Sequence, residues 1–321
     1  VLLANQLVGR ANITLVLDAL RADPAFEAFV LVDSAAGLAQ LLEALRSAPP
    51  LGRPLPLLLE VGAAGGRTGV RSAEAGATLA RAVAAAAPWV ALRGVECFED
   101  VFGRDDLPRV ELAVMTLLDT VAALARQGCE AGWFAPGPVI VSAGGSSFFD
   151  LAACVLGEVG TAAGREVQVV LRSGCSLTHD SWHYLRLVER MRERARVRWP
   201  AGPGLQPALQ VWAVVQSLPE PGRAICGFGK RDASFDIDLP RAELWHRPGL
   251  HVTAQRAPAG LAVVKLNDQH AFVDGAGTAA LAVGDLLGFG ISHPCTTFDK
   301  WPLLLEVDDA FNVVGAIRTC F

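Results

Sequence analysis

The stretch Leu55-Pro-Leu-Leu-Leu-Glu-Val61 is an almost wholly apolar run, and an amphipathic segment over residues 72–87 follows it. An apolar run of this length predicts a strand that is covered on both faces, as the strands of parallel sheets are. The same order of strand and helix recurs through the first part of the chain. The other predicted strands are residues 1–3, Phe29–Val32, Val90–Cys97, 139–142 and 167–172, and the other predicted helices are residues 13–22, Ala35–Ser47, 107–126, 149–159 and 180–194. Six such units predict an α/β fold, either a (β/α) barrel or a doubly wound sheet.

The number of units bears on where the chain begins. A (β/α) barrel has eight strands, whereas we predict six, and residue 1 is not methionine. We therefore expect a chain that starts inside a (β/α)8 barrel whose first strands are missing. A barrel opened in this way exposes two sheet edges, so we expect the 321-residue chain by itself to be inactive and poorly soluble.

The strand–helix pattern stops at Trp199-Pro-Ala-Gly-Pro-Gly204, which reads as a linker. Beyond it we predict strands and turns without a convincing helix. The predicted strands are residues 209–215, 224–228, 251–255, 261–266, 287–290, Leu303–Val307 and Val313–Arg318. The sequence thus predicts two domains, a partial (β/α) barrel over residues 1–198 and an all-β domain over residues 205–321.

The composition excludes several classes of protein. The net charge of −5 and the absence of Lys/Arg runs argue against nucleic acid and membrane surfaces as partners. The apolar runs are shorter than the roughly 18–20 residues that span a bilayer. Seven scattered cysteines do not form a disulfide framework, which favours thiols in a reducing cytoplasm. Three lysines stand against 25 arginines, so each lysine can be considered separately.

Glycine-rich turns follow three of the predicted strands. Arg67, in Gly66-Arg-Thr-Gly69, could meet a phenolate or phosphate oxygen, although a solvated surface turn is the alternative. The turns Ala143-Gly-Gly-Ser-Ser147 and Arg172-Ser-Gly-Cys175 offer backbone N–H groups and hydroxyls to an anion. Because barrels often bind phosphate after their last two strands, the two turns together favour a phosphate site. A helix cap with a loop glycine is the alternative for the first of them.

The stretch Thr178-His-Asp-Ser-Trp-His-Tyr184 contains two histidines that are four positions apart. His179 and His183 could share one face of a helix, as zinc ligands do, but no glutamate follows the first histidine. Asp180 is explained as a helix cap. We interpret His183 as structural and leave the role of His179 open.

Two further segments, Asn267-Asp-Gln-His270 and Ser292-His-Pro-Cys295, lie at predicted turns or strand ends. His293 and Cys295 are two positions apart, so in an extended segment both side chains point the same way. Imidazole nitrogen and thiolate sulfur are ligands that zinc prefers. The alternative is an inert, packed cysteine beside a hydrogen-bonded histidine.

In this order, these segments resemble the D-serine dehydratase and D-threonine aldolase family, whose barrel and β domain are similar to those of alanine racemase. The matching segments are Leu2-Leu-Ala-Asn-Gln6, Gly66-Arg-Thr-Gly69, Gly94-Val-Glu-Cys-Phe-Glu99, Ser142-Ala-Gly-Gly-Ser-Ser147, Leu171-Arg-Ser-Gly-Cys175 with Thr178-His-Asp180, Gly229-Lys-Arg-Asp232 with Asp236-Ile-Asp238, and Ser292-His-Pro-Cys-Thr-Thr-Phe-Asp-Lys-Trp301. The resemblance runs through nearly the whole chain. Its last segment is the most specific, and bacterial amino-acid deaminases look most similar.

The resemblance implies a pyridoxal-phosphate (PLP) enzyme whose Schiff-base lysine follows the first barrel strand, upstream of Val1. It implies Arg67 at the phenolic oxygen of the cofactor, Arg172 near its pyridine nitrogen, and zinc on His293 and Cys295. The residues implied to bind the cofactor are Gln6, Arg67, Gly144, Gly145, Ser146, Arg172, Ser173, Gly174 and Cys175. Lys230, Lys265 and Lys300 cannot replace the missing lysine, because the first two lie in the β domain and the third follows the metal-ligand motif. The tyrosine that usually follows Gly-Cys in the family is Ser176 here.

The implied reaction removes the hydroxyl of a D-serine-like 3-hydroxy-D-amino acid and yields a keto acid and ammonia, with a divalent metal as Lewis acid. A D-threonine aldolase-type cleavage would use the same metal but break the Cα–Cβ bond, and Cys295 in place of an aspartate favours the dehydratase. A catalytically dead PLP-binding chain is the third possibility. His270 is the acid expected to assist the leaving group if no metal does. We also expect a homodimer with active sites near the interface.

Overall fold

The computed structural model describes residues 1–103, 106–162, 164–199, 201–202 and 204–320. Two compact units make up the chain, Val1–Ser173 and Gly174–Phe321. The helix predicted over residues 180–194 therefore belongs to the second unit. Residues 200 and 203 of the predicted linker lie outside the described residues. Within the described part of the chain, the longest apolar helices are still too short or too polar to cross a bilayer.

The described residues of the first unit form six parallel strands and six helices. The strands are β1 (Leu2–Gln6), β2 (Phe29–Val32), β3 (Leu55–Val61), β4 (Val90–Cys97), β5 (Val139–Ala143) and β6 (Val167–Leu171), and the helices are α1 (Arg10–Ala22), α2 (Ala35–Ser47), α3 (Ala73–Ala85), α4 (Leu107–Glu130), α5 (Phe149–Gly157) and α6 (Val159–Ala162). The strands pair in chain order from β1 to β6. A doubly wound sheet would reverse its order at a switch point. The order seen here is that of a (β/α) barrel, and the parallel half-barrel confirms the predicted fold class.

The core of the first unit explains the apolar character of its strands. Leu55, Leu57 and Leu59 of β3 are fully buried, and Leu58 on the opposite face is buried as well. Burial on both faces requires a continuous apolar run rather than alternation. Each fully buried leucine contributes about 2 kcal/mol to stability.

Side-chain caps determine where three of the helices begin. Ser34 caps α2, Ser72 caps α3 and Asp106 caps α4, each accepting a hydrogen bond from a backbone N–H three positions along the chain. Such caps satisfy N–H groups that a helix leaves without partners in its first turn.

All six strands carry their carboxyl ends to one edge of the sheet, because they are parallel, and the loops at this edge contain the predicted cofactor residues.

The described residues of the second unit form an antiparallel sheet, a separate hairpin and short helices. The elements are a 3-10 turn (Gly174–Ser176), α7 (His183–Arg194), β7 (Gln210–Glu220), β8 (Arg223–Cys226), β9 (Arg241–His246), β10 (Gln255–Arg256), β11 (Ala262–Leu266), β12 (Ala271–Asp274), a 3-10 turn (Ala276–Ala280), β13 (Leu286–Gly290), α8 (Cys295–Phe298), β14 (Leu303–Val307) and β15 (Val313–Arg318). Seven strands form one sheet in the order β10-β9-β13-β7-β8-β12-β11, and β14 pairs with β15. The separate antiparallel domain confirms the second part of the predicted fold class.

Several details of the second unit differ from the prediction. Strands β9 and β12 were missed, and the strand predicted over residues 251–255 is wrong, because β10 comprises only Gln255–Arg256. The expectation of no helix is also wrong, since α8 spans Cys295–Phe298. A helix of one turn has almost no stability of its own, and this one depends on contacts that are distant in sequence.

A buried carboxylate, Asp285, joins three segments of the second unit. Its Oδ1 accepts a hydrogen bond from Arg247 Nε at 2.7 Å. Its Oδ2 accepts from Arg247 Nη2 at 2.8 Å, from Trp245 Nε1 at 2.8 Å and from the Ala282 N–H at 2.9 Å. A carboxylate with this many donors is well compensated for the loss of water.

We expect Asp285→Ala to lower the free energy of unfolding by about 3 kcal/mol, the low end of the cost of breaking a buried pair. The low end applies because the Arg247 side chain keeps 30% of its exposure and can be solvated after the change. Urea unfolding measures the effect, and the exposed Asp309→Ala is the matched control. Equal stability of the two variants would show that the network contributes nothing.

Candidate functional site

A buried glutamate at the carboxyl end of β3 connects two of the loops at this edge. Glu60 Oε2 accepts a hydrogen bond from Gln6 Nε2 at 2.5 Å, and its Oε1 accepts from Thr68 Oγ1 at 2.6 Å. Gln6 ends β1 and Thr68 lies in the glycine-rich turn after β3. The amide of Gln6, a predicted cofactor-binding residue, is thus oriented by a carboxylate.

Arg172, which follows β6, lies in a network across three strands. Its Nη1 donates to Ser142 Oγ at 2.6 Å, and its Nη2 donates to Glu96 Oε2 at 2.6 Å and to the Cys97 carbonyl at 3.1 Å. Glu96 is 1% exposed, and its Oε1 has no partner among the described residues. Burial raises the pKa of Glu96 to about 7, although the Arg172 cation acts in the opposite direction. The network holds a cation and a carboxyl that titrates near neutrality at the edge of the sheet.

Hydrogen bonds to Glu99 hold the predicted phosphate turn that follows β5. Its carboxylate accepts hydrogen bonds from the backbone N–H groups of Gly144 and Gly145 at 3.0 Å. Burial raises the pKa of Glu99, and these N–H groups oppose the rise. A Cβ atom at Gly145 would lie 2.7 Å from Glu99 Oε1, and one at Gly144 would lie 2.7 Å from Arg172 Nη2. A Cβ atom at either position would displace the end of the Glu99 or Arg172 side chain, which favours glycine at both.

The turn after β5 is also joined to the loop after β6. Ser173 Oγ donates to the Gly145 carbonyl at 2.7 Å, so the two predicted phosphate turns are adjacent in the first unit. Ser146 lies half-buried between Gly145 and Ser147, and Ser147 Oγ donates to Asp100 Oδ2 at 2.7 Å. Glu99 takes the glycine N–H groups, and the hydroxyls of Ser173 and Ser147 donate within the protein. Among the side chains of these two turns, the Ser146 hydroxyl is therefore the donor best placed to meet an anion without breaking one of these hydrogen bonds.

Arg67 is exposed, and its guanidinium lies 4.5 Å from the centre of the Phe98 ring. Its neighbour Arg71 holds the turn itself. The Arg71 guanidinium donates to four carbonyls, those of Gly66, Arg67, Thr68 and Gly69. Arg71 therefore determines the shape of the turn. Arg67 remains at the surface, where its guanidinium makes a cation–π contact with the Phe98 ring.

In the second unit, His293 pairs with a carboxylate. Its Nδ1 lies 2.7 Å from Asp236 Oδ2. Ser234 Oγ donates to the His293 carbonyl and lies 2.9 Å from Thr297 Oγ1. The carboxylate engages one ring nitrogen and leaves Nε2 as the atom able to bind a ligand, which is how metal-binding histidines are commonly oriented.

Cys295 lies beside a second thiol. Its Sγ is 3.0 Å from Cys175 Sγ. The hydrogen bond with Cys175, together with burial, raises the pKa of Cys295. The prediction of an extended His293-Pro-Cys segment is wrong, because Pro294 has helical dihedrals and Cys295 begins α8. Hydrogen bonds from Ser234 hold this segment in its helical turn. The side chains of His293 and Cys295 therefore do not share the one direction that an extended segment would give them.

The other histidines lie in two different environments. His270 is exposed in the turn between β11 and β12, where its carbonyl accepts from the Asn267 N–H. His179 is buried with a positive φ of 50°, and burial lowers its pKa. His183 is buried with its ring 4.9 Å from that of Tyr184.

Asp180 accepts hydrogen bonds at the start of α7. Its Oδ1 accepts hydrogen bonds from the N–H groups of Trp182 at 3.1 Å and Tyr184 at 2.7 Å. Asp180 is therefore not the N-cap residue, which is Trp182, but its carboxylate accepts from N–H groups at the start of α7. Burial raises the pKa of Asp180 to about 6.

Sequence reasoning missed the acids that organise these residues. Glu60 and Glu96 each interrupt an apolar strand, and a buried charge in such a strand needs a partner. That interruption was a usable signal. Asp236 had no local signal, because His293 lies 57 positions away. Among the described residues, His, Cys, Asp and Glu do not converge in a group of three that could hold a metal.

Comparison with known proteins supports the resemblance. Residues 208–307 match the family model "Putative serine dehydratase domain". D-Threonine aldolase from Filomicrobium marinum superposes with a TM-score of 0.68 at 20% identity, over 99% of this chain and 75% of that chain. D-threo-3-hydroxyaspartate dehydratase from Delftia sp. HT23 gives 0.67 at 19% identity, over 99% and 78%. An alanine racemase-like protein from Idiomarina loihiensis gives 0.63 at 14% identity, over 99% and 77%.

A search of curated proteins gave no match. The solved structures establish the fold, a (β/α) barrel of the alanine racemase type followed by a β domain. The family model supports the resemblance to the D-serine dehydratase and D-threonine aldolase family over residues 208–307, and the solved structures show that the fold is shared over nearly the whole chain.

Proposed function

We propose that this chain is part of a PLP-dependent, metal-assisted lyase that converts D-serine-like 3-hydroxy-D-amino acids to a keto acid and ammonia. The observation that carries the proposal is the His293–Asp236 pair, two positions before Cys295, inside the segment that matches the serine dehydratase model. Relatives with this fold are a D-threonine aldolase and a D-threo-3-hydroxyaspartate dehydratase. Both act on amino acids that carry a hydroxyl on Cβ.

The donor set at His293 and Cys295 fits a divalent metal such as zinc. Asp236 orients the imidazole and leaves Nε2 for the ion, and the Cys295 thiol supplies sulfur. Two protein ligands leave positions for substrate oxygen or water, as a catalytic site requires. A bound metal would supply Lewis-acid assistance to the departing hydroxyl. Solved mutants of a D-threo-3-hydroxyaspartate dehydratase replace a histidine and a cysteine, and the structure of the cysteine mutant is of the metal-free form.

The edge of the parallel sheet fits PLP in two respects. The glycines at positions 144 and 145 keep the turn after β5 close to Glu99 and Arg172, and the hydroxyl of Ser173 reaches the Gly145 carbonyl of the same turn. Glu96 Oε1, buried without a partner, marks a polar site that the described residues do not complete. We assign the phosphate to Ser146 and Ser173 of the first unit. When bound, PLP would supply an electron sink for the carbanion at the substrate Cα.

Three further residues are assigned to the cofactor ring. Arg67 would meet the phenolic oxygen, and Gln6 is oriented toward this edge by Glu60. Arg172 is assigned to the pyridine nitrogen, because a guanidinium donates protons and does not accept them. A nitrogen facing it stays unprotonated, which weakens the electron sink and disfavours side reactions of the carbanion.

No lysine of this chain is assigned to the cofactor. Lys230, Lys265 and Lys300 all lie in the second unit. His270 is retained as an acid for the leaving group only if the metal proves unnecessary, because its side chain lies in an exposed turn. A homodimer in the cytoplasm stays a prediction.

Product analysis tests the proposal. The protein expressed from its full reading frame is supplied with PLP and zinc and offered D-serine, D-threo-3-hydroxyaspartate and D-threonine, with the L-enantiomers as controls. We expect ammonia and keto acid in equal amounts from the D-amino acids alone. Glycine and an aldehyde would instead establish retro-aldol cleavage. Bound PLP without turnover of any of these substrates would establish a binding protein and overturn the proposal.

A further inference from the structure

Two cysteines that are distant in sequence meet at the surface of the second unit. Cys175 and Cys295 are 120 positions apart, and their sulfur atoms lie 3.0 Å from each other. Cys175 is partly exposed and Cys295 is exposed. A disulfide has an S–S length of about 2.05 Å, so the sulfurs would have to approach by about 1 Å.

Hydrogen bonds hold the two segments that carry these thiols. On the Cys175 side, the Cys175 carbonyl accepts a hydrogen bond from the His179 N–H at 2.7 Å. The Ser181 N–H donates to the carbonyl of Ile291 at 3.0 Å, and Ile291 is the first residue after β13.

On the other side, Ser234 fixes the segment that contains Cys295. Its hydroxyl donates to the His293 carbonyl, and its N–H donates to Thr297 Oγ1 at 3.0 Å. Because the Cys175 segment is tied to Ile291 and the Cys295 segment is tied to Ser234, the approach of the two thiols does not depend on free diffusion of two loops.

We propose that Cys175 and Cys295 form a reversible disulfide that withdraws Cys295 from the metal. The metal half of this statement rests on the proposed function, in which Cys295 is a ligand. Cysteine binds zinc as the negatively charged thiolate. A sulfur atom in a disulfide carries no negative charge and is a poor zinc ligand. Oxidation therefore removes one of the two protein ligands and leaves His293 alone.

The oxidant is a peroxide. One thiol attacks a peroxide oxygen, the O–O bond breaks, and a sulfenic acid and one water are formed. The second thiol attacks the sulfenic sulfur, the S–S bond forms, and the oxygen leaves as a second water. Two thiols and one hydrogen peroxide thus give one disulfide and two waters. A phosphine or a thiol returns the two electrons.

Peptide mapping tests the disulfide independently of any enzymatic activity. Trypsin releases residues 173–186 with Cys175, and residues 266–300 with Cys295, each as the single cysteine of its peptide. After one equivalent of hydrogen peroxide, the full-length protein should yield these peptides cross-linked, and a phosphine reductant should separate them. Cys320→Ser, which removes a different exposed thiol, should give the same cross-link, and Cys175→Ser should give none.

Zinc affinity, measured by competition with a chromogenic chelator, tests the withdrawal. Oxidised wild type should bind zinc at least tenfold more weakly than reduced wild type, with recovery on reduction. Reduced Cys175→Ser should bind within threefold of wild type. Peptides that stay separate, or a cross-link without loss of zinc, would overturn the proposal, as would a tenfold loss in reduced Cys175→Ser, which would make Cys175 a ligand. Absence of zinc binding by reduced wild type would defeat the metal assignment itself, and the peptide map would still report on the thiols.

Discussion

Replacing Cys295 by alanine is expected to lower the rate of keto-acid release about 1000-fold and to abolish stoichiometric zinc. The magnitude follows because Lewis-acid assistance to a leaving hydroxyl is worth several kcal/mol, and each 1.4 kcal/mol is about a factor of ten in rate. The visible absorbance of bound PLP should persist, because the residues assigned to the cofactor, apart from Gly174 and Cys175, belong to the first unit, whereas Cys295 belongs to the second. Elemental analysis and a keto-acid assay on the protein from the full reading frame measure the two effects.

Three controls make this result specific. Cys320→Ala removes an exposed thiol elsewhere and should leave zinc and rate unchanged. Asp236→Asn should retain the fold but weaken zinc about tenfold or more, since carboxylates behind ligating histidines have effects of this size. A chelator should act on wild type as Cys295→Ala does, and added zinc should reverse it. Full activity in protein shown to be free of metal would end the hypothesis and leave His270 as the candidate acid.

The second large effect expected is a loss of stability with rising pH that originates at Glu96. Burial raises its pKa from the ordinary 4.5 to about 7 in the folded chain. Between these values the folded state holds a proton that the unfolded state has released, so the free energy of unfolding falls as pH rises from about 4.5 to about 7. The loss is complete above the folded-state pKa and amounts to about 3 kcal/mol, at 1.36 kcal/mol for each pKa unit.

Glu96→Gln isolates this contribution, because glutamine resembles the protonated carboxyl and does not titrate. The difference in unfolding free energy between variant and wild type should shift by about 3 kcal/mol in favour of the variant between pH 4 and pH 8. Urea unfolding at each pH measures it. Glu43→Gln, at an exposed position of α2, is the matched control and should give a difference that is nearly constant. A constant difference for Glu96→Gln as well would show that Arg172 keeps Glu96 ionised throughout.

The elements of the fold could be predicted to different degrees. The six parallel strands and their helices were found because each is an apolar run or an amphipathic segment long enough to carry its own period. Strand β9, Arg241–His246, was missed because its half-buried side chains show no apolar run. The one-turn helix α8 was missed because four residues hold no period, and its folding depends on Ser234, 61 positions before Cys295.

The candidate site divides in the same way. Arg172, His293 and the glycines of the turns were found from local motifs, since a loop that approaches an anion closely needs glycine and a metal needs particular atoms. Their partners were not found, because Glu96 and Asp236 meet them across 76 and 57 positions of chain. Only folding brings such residues together.

The sequence by itself determined the order of strands and helices in the parallel sheet, the change to a domain rich in antiparallel strands, and the residue types available for chemistry. These depend on local periodicity and on the chemical nature of single side chains. The tertiary structure decided which charges are paired, that Glu99 rather than an anion takes the N–H groups of Gly144 and Gly145 in this chain, and that Cys175 lies against Cys295. Hydrogen bonds and sulfur contacts act over about 3 Å, and separation along the chain does not specify distances of that size.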